Sequence, residues 1–398
     1  MKLRLTEEQS LIEASVRTML QEQYSFAQRQ RSLDAPQGCR AELWAQFAEL
    51  GWLALPVPQH AGGLGGGALE TGLLMRAFGR HLVVEPYLPC AVLTGRVLAA
   101  LGSRAQAAAW LPGLVEGRVR AALAHDEAGQ HDPWVPATKT IATRRGKQWE
   151  LAGTKLLARG APGADVLIVT AMEAASGDIE QSQRVFLLRP GAAGLVMRLA
   201  RCSDGAHAAD LQLNGVLVDD GDLLAAGAAA ALRDALAGAV VALCWEAVGA
   251  MAAALEMTAD HARQRMQFGR PLIQFQVVEH RLAEMAVCCE EAQAACELAA
   301  LGLDRGDSDA GALASMAKAK VGRAARYVAQ QAVQLHGAMG VTEELAIASY
   351  FRRLMAFTQQ YGSTDWHAHA FAEAELANGA WRHSRTLPLP REIVEGAS

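Results

Sequence analysis

The chain has 398 residues, enough for two or three domains around a substantial core, and its net charge of -5 comes from interspersed acids and bases. That balance excludes a basic nucleic-acid groove. The seven cysteines (Cys39, Cys90, Cys202, Cys244, Cys288, Cys289 and Cys296) are odd in number and lack metal-ligand spacing, which fits a reduced cytoplasmic protein without a metal centre.

In chain order, the segment from Met1 to Glu8 turns acidic before an apolar core could form, so it does not read as a signal peptide. Thr6 with Gln9 reads as a capping box that opens a helix. Residues 1–118 read as an N-terminal α-helical domain, with an amphipathic Ala41–Leu50 followed by Gly51-Trp52. Pro56–Gly67 is a glycine-rich loop without the Gly-Lys-Ser/Thr of a phosphate cradle. Residues 119–220 change to short alternating or apolar runs punctuated by Gly, Asp and Pro: Ala121–Ala124, Thr140–Thr143, Trp149–Leu151, Val166–Thr170, Val185–Leu188, Leu195–Arg198 and Leu211–Leu213. They predict a compact, barrel-like β domain. Residues 221–385 return to 3.6-residue periodicity and predict a four-helix bundle, with residues 386–398 as an extended tail. The fold class is therefore mainly α with a central β domain. The stretch from Ala235 to Leu255 contains one charge, Glu246, and its alanine and glycine content suits a bundle interior better than a membrane.

Arg263 to Gln276, Arg-Gln-Arg-Met-Gln-Phe-Gly-Arg-Pro-Leu-Ile-Gln-Phe-Gln, connects two alanine-rich helices. A connection of this kind needs the Gly and the Pro, the one to end a helix and the other to open the next. It needs neither Arg265, which can fork onto a diphosphate, nor Gln276, which offers a donor and an acceptor to a sugar or purine. A plain solvated turn is the other reading of these residues.

The segment resembles the flavin-binding signature of the acyl-CoA dehydrogenases, Arg-x-x-Phe-Gly-x-Pro ending in Phe-Gln, with Leu282-Ala283-Glu284-Met285 as its tail. Gln334-Leu335-His336-Gly337-Ala338-Met339-Gly340 resembles the family's second signature, with Ala338 in place of a Gly. The similarity runs from Leu5 to about Glu375. It implies a helical domain, a β domain and a helical bundle, and an FAD-dependent desaturation of an acyl-CoA thioester between Cα and Cβ. It further implies that Arg265, Phe268, Gln276, Gln334, His336, Gly337 and Gly340 bind FAD, Arg265 at the diphosphate and Gln276 at the adenosine, partly across a subunit interface. An acyl-CoA substrate, an oligomer and an electron-transferring flavoprotein as electron acceptor belong to the same implication.

Other positions depart from the family. Its usual base, the Glu of Tyr-Glu-Gly-Thr, falls on Gly362 within Tyr361-Gly362-Ser363-Thr364, and the alternative base position falls on Ala239. Asp126–Asp132 replaces a hydroxyl-bearing flavin loop, and Leu157 and Arg159 stand where a tryptophan and a threonine normally meet the ring. Groups that hold adenylate are kept while groups that face the flavin ring are lost. This asymmetry is similar to a branch in which two different chains assemble, and Ala242–Met251 and Gly362–His367 are closest to the small subunit of pimeloyl-CoA dehydrogenase. A homologous larger subunit is then the implied partner.

Glu246 is the first candidate base: it stands in an apolar helix, sharing one face with Ala239 and Leu243, where desolvation would raise its pKa. Alternatively it is a structural carboxylate paired with Arg352 or Arg353. Asp365, three residues beyond the lost Glu, is the second candidate. His367 and His369 diverge on a helix and hold no metal. Three functions are open: a dehydrogenase subunit active with a partner, a self-sufficient homo-oligomer using Glu246, and a catalytically impaired acyl-CoA-binding or scaffold protein on the same fold.

Overall fold

The structure is a computed structural model and describes residues 4–130, 132, 134, 138–174, 178–377 and 379, so the expected extended tail lies outside the described residues. The N-terminal domain comprises helices α1 (Glu7–Gln23), α2 (Phe26–Asp34), α3 (Ala41–Glu49), α4 (Ala68–His81), α5 (Gly95–Leu101) and α6 (Arg104–Val115). The capping box at Thr6 and Gln9 is present, each side chain bonded to the other's backbone N–H. The glycine-rich loop leads into α4, whose first amides, Ala68 and Leu69, are taken by the Asp304 carboxylate. A protein carboxylate thus occupies the anion position at that helix start.

The central domain holds strands β1 (Ala121–Ala124), β2 (Ile141–Arg145), β3 (Gln148–Arg159), β4 (Val166–Glu173), β5 (Gln183–Leu188), β6 (Leu195–Arg201), β7 (His207–Asp219) and β8 (Leu223–Ala226), with the short helix α7 (Ile179–Ser182) before β5. The barrel-like expectation needs correction. The strand order is β6-β7-β3-β2-β4-β5-β8, with β1 parallel to β4, and β6 and β8 remain the two ends of a mixed sheet. Sheet residues such as Leu151, Leu167, Phe186 and Leu211 form a core of their own.

The C-terminal domain comprises α8 (Ala229–Gln264), a hairpin of β9 (Met266–Gln267) and β10 (Arg270–Pro271), then α9 (Gln276–Arg305), α10 (Ala310–His336), α11 (Ala346–Phe357) and α12 (Thr364–Ala377). By length and composition α8 could cross a membrane, but nearly all of its apolar stretch is buried inside the molecule. Helices α4 and α8 touch backbone to backbone: a Cβ on Gly79 would lie 1.8 Å from the Glu246 carbonyl oxygen, and one on Gly249 1.8 Å from that of Arg76. That crossing fixes the height of Glu246 in the core.

The connection after α8 also differs from expectation. Gly269 does not end a helix, and Pro271 opens only the short 3-10 turn Leu272–Gln274 that precedes α9. Phe268 and Gly269, with φ of 49° and 77°, are the two central residues of a tight hairpin between β9 and β10. Two consecutive positive φ values match the right-handed twist of the strands, which is the reason for Phe-Gly at that point.

Candidate functional site

Two motifs far apart in sequence meet at one end of the bundle. The His261 ring, one turn before Arg265, stacks on His336 with centroids 4.5 Å apart and planes at 24°. Burial pushes the His261 pKa down, and His336 and Arg265 push it the same way. His336 is fixed through Nδ1 to the Ala332 carbonyl at 2.8 Å. Around this stack Arg265, Gln276 and Gln334 are exposed, and none of these side chains bonds to another described residue. Gly337 is exposed at a φ of 63°, Gly340 is buried, and Phe268 projects from the hairpin with 91% of its surface exposed. The structure therefore brings the two signatures together and leaves their polar ends open.

A cleft runs between the sheet and the bundle, walled by His125, Asp126 and Leu156–Arg159 on one side and by Met355 and Gln359–Ser363 with Trp366 on the other. The sheet wall is tied down by Glu127, which accepts from the amides of Thr138, Lys139 and Thr140 at 3.0, 2.8 and 2.8 Å and from Lys155 Nζ at 2.8 Å. Burial disfavours the Glu127 charge, but Lys155 and these donors outweigh it and hold its pKa at about 2. Burial lowers Lys155 to about 8 against the opposing pull of Glu127. Leu157 sits in a bulge of β3 at a φ of 48° and is turned out, 54% exposed. Asp126 opens onto the cleft, yet the surrounding protein desolvates it enough to raise its pKa above the usual range.

The bundle wall hangs on α10. Buried Lys318 donates to the carbonyls of Phe357 and Gln360, and its ammonium lies 4.1 Å from the Phe357 ring centroid. His367 donates through Nε2 to the Tyr361 carbonyl at 2.8 Å and, as a neutral ring, accepts at Nδ1 from the Ser315 hydroxyl at 3.1 Å. Burial brings Lys318 down to about 7 and His367 to about 4. Tyr361, at a φ of 54°, and Gly362, at 100°, form the turn so held.

Behind the cleft lies a chain of ion pairs. Arg159 reaches Asp204 at 3.1 Å, Arg353 reaches the same Asp204 oxygen at 3.1 Å, and Arg353 forks onto both oxygens of Glu246 at 2.5 and 2.7 Å. Glu246 is thus not the solitary carboxylate that its apolar helix suggests. The alternative of pairing with Arg353 is what the geometry displays, whereas Arg352 forks onto Glu343. Asp365 is exposed in the first turn of α12 and outside the cleft lining, where its neighbour Trp366 stands instead. His367 is buried and His369 exposed, and no metal-ligating cluster occurs among the described residues. Asp204 and Lys318 escaped the sequence reading, and of the two Lys318 alone carried a signal, as a lone cation on the buried face of α10.

Comparison with known proteins follows the same division. Residues 6–118 match the family model "Acyl-CoA dehydrogenase, N-terminal domain", and residues 226–376 match "Acyl-CoA dehydrogenase, C-terminal domain". The acyl-CoA dehydrogenase FadE28 of Mycobacterium tuberculosis is 33% identical over 323 residues, 80% of this chain and 88% of that protein. A variant of the Tcur3481-Tcur3483 steroid ACAD superposes with a TM-score of 0.84 at 27% identity, covering 94% of this chain and 99% of that one. The ChsE4-ChsE5 complex from Mycobacterium tuberculosis contains a chain with a TM-score of 0.84 at 25% identity, covering 95% and 99%. Joined to the meeting of both signatures at the His261–His336 stack, these matches place the chain in the acyl-CoA dehydrogenase family.

Proposed function

We propose that the chain is a subunit of an FAD-dependent acyl-CoA dehydrogenase that forms a trans double bond between Cα and Cβ of an acyl-CoA thioester. It works as the smaller member of a hetero-oligomer with a homologous, larger chain in the cytoplasm. FAD, when bound, accepts the hydride that leaves Cβ. The residues present fit its nucleotide end: Arg265, Gln276 and Gln334 are exposed and polar, in the segments that follow His261 and precede His336, whose rings stack. Arg265 would take the diphosphate, and Gln276 and Gln334 the adenosine side, with Gly337 and Gly340 allowing close backbone approach.

The observation that carries the heteromeric reading is the contrast between that open clamp and the cleft. The usual base position is Gly362, Glu246 is held on both oxygens by Arg353, and Asp365 points away. With both oxygens engaged by Arg353, neither is free to meet a substrate proton. The partner chain would then supply the base, while this chain supplies the nucleotide clamp. Both superposed structures named above carry the names of two proteins, which supports the same assembly.

The test is to purify the chain alone and co-expressed with a homologous larger chain. Alone it should hold far less than one FAD by absorbance; the pair should be yellow and should reduce ferricenium with an acyl-CoA. Full occupancy and brisk turnover by the lone chain would refute the heteromer. A second reading, binding of acyl-CoA without turnover, is favoured by the same Arg353 fork. It predicts that the lone chain and the co-purified pair both bind acyl-CoA and that neither reduces ferricenium.

A further inference from the structure

The histidines that stack where the two signatures meet form a titratable pair that no step above uses. Each stands in the last turn of its helix, His261 in α8 and His336 in α10. The unpaired carbonyls of a helix end favour a cation there. Arg265, the residue that closes α8, is a fixed cation one turn beyond His261. The two rings are not equivalent. His336 is buried, and its Nδ1–H donates to the Ala332 carbonyl. His261 is half-buried, and neither of its ring nitrogens bonds to a described residue.

With centroids 4.5 Å apart the stack accepts one proton at most near neutrality, because a second would set two imidazolium charges face to face beside a guanidinium. Without an anion even the first is disfavoured: burial, then His336, then Arg265 push the His261 pKa below its ordinary 6.5. Among the described residues no carboxylate offsets them. Asp260, next in the chain, is held by Arg263, Glu279 and His280 at the start of α9 are exposed, and Arg270 of the hairpin lies over the Phe275 ring. This end of the bundle therefore holds one permanent cation and one ring able to become a second.

We propose that His261 is the second cation of the nucleotide clamp, oriented by its stack on His336, and that binding of a diphosphate at Arg265 is accompanied by uptake of a proton on the His261 ring. This rests on the FAD reading above and adds to it a dependence on pH. The charge of the diphosphate favours imidazolium, so the His261 pKa is higher in the complex than in the free protein. The gain in affinity is then complete below the free value and is lost as pH rises through the bound one. Gln276 and Gln334 are neutral carboxamides and add nothing to that slope.

The experiment is a fluorescence titration of the apo-pair with FAD across pH, in buffers free of phosphate. From about pH 7.5 down to about pH 5.5 the unaltered pair should bind FAD about five- to ten-fold more tightly, as a shift of about one pKa unit supplies. His261→Phe keeps a ring on His336 but carries no proton, and its affinity should stay within about two-fold over the same range. His261→Lys, a fixed cation, should be equally flat but at the tight end, a rescue that a merely structural ring would not give. A pH slope that His261→Phe retains overturns the proposal. Calorimetry at about pH 6.5 in two buffers of different ionisation enthalpy counts protons on the unaltered pair. Net uptake is expected, and its absence overturns the proposal even where a variant does not fold. FAD bound with a flat profile refutes the second cation and leaves the FAD reading standing, whereas no FAD bound at any pH refutes both.

Discussion

Arg353 is the residue on which the inner polar chain turns, because it serves two buried carboxylates, Glu246 and Asp204. Arg353→Met would strand Glu246 and leave Asp204 with Arg159 only. Removing one partner of a buried pair costs roughly 3–5 kcal/mol. Glu246→Gln keeps an acceptor for one of the two bonds and removes a charge, so a smaller loss, about 1–3 kcal/mol, is expected. Urea denaturation of both variants measures the order, and a Glu246→Gln loss exceeding that of Arg353→Met would contradict it. Acid should expose a second residue. Glu127 titrates from an ordinary 4.5 down to about 2 in the folded protein. A carboxylate whose folded pKa is depressed contributes stability that is complete above its unfolded pKa and is lost as pH falls through the folded value. Stability should therefore fall between pH 4.5 and about 2, and Glu127→Gln should flatten that slope in a circular-dichroism acid titration. Asp204, held low by Arg353 and Arg159 despite burial, adds to the slope in the same direction.

Elements meet here through a few close contacts, and those contacts explain what a single sequence discloses. The α4–α8 crossing has no space for a methyl group at Gly79, where the obstacle is backbone and cannot rotate away. Gly79→Ala should cost at least the 1–3 kcal/mol usual for overpacking and lower the melting temperature by several degrees. An unshifted melt would mean that the helices separate freely. Helix and strand positions were largely legible: β1 has the bounds its apolar run gives, and Thr6 caps α1 as its spacing requires. The β8 strand was not, since Leu223–Ala226 is a four-residue run that merges with the alanines of α8. The sheet's open order was not legible either, because pairing joins segments far apart and no local period records it. The same holds for the ion-pair chain, in which Arg159, Asp204, Glu246 and Arg353 come from a strand, a turn and two helices. Lys318 shows how hidden such a contact is: one cation on α10 holds two carbonyls of the cleft turn. Its folded pKa of about 7, against 10.5 ordinarily, means that the unfolded chain binds more protons above neutrality. The sign follows: stability contributed at Lys318 should rise from pH 7 toward 8.5 and be missing from the same difference measured in Lys318→Met. Comparing the two proteins at each pH cancels the groups remote from Lys318.

At the scale of the whole molecule, the proposed function divides nucleotide and chemistry between two chains. The motifs themselves were legible because Arg265, Gln276 and Gln334–Gly340 lie at fixed spacings within short segments. Their meeting required the fold, through the stack of His261 on His336. The division makes a prediction that separates binding from folding. Arg265 is exposed and bonded to no described side chain, so Arg265→Ala should leave the melting temperature of the lone chain within about a degree, as for a surface substitution. In the assembled pair the same change removes a charge-assisted contact to a diphosphate, worth about 1.5–3 kcal/mol, or roughly ten- to a hundred-fold in FAD affinity. Flavin retained through gel filtration and a fluorescence titration of the apo-pair with FAD measure the loss. Gln276→Ala should weaken FAD less, because it removes a neutral hydrogen bond. Phe268, projecting from the hairpin at the same end, should behave differently from both: Phe268→Asp places a charge on an exposed apolar tip and should weaken the pair itself before the flavin. If Arg265→Ala lowers the melting temperature of the lone chain and spares FAD, the guanidinium serves the hairpin, and the nucleotide is held elsewhere.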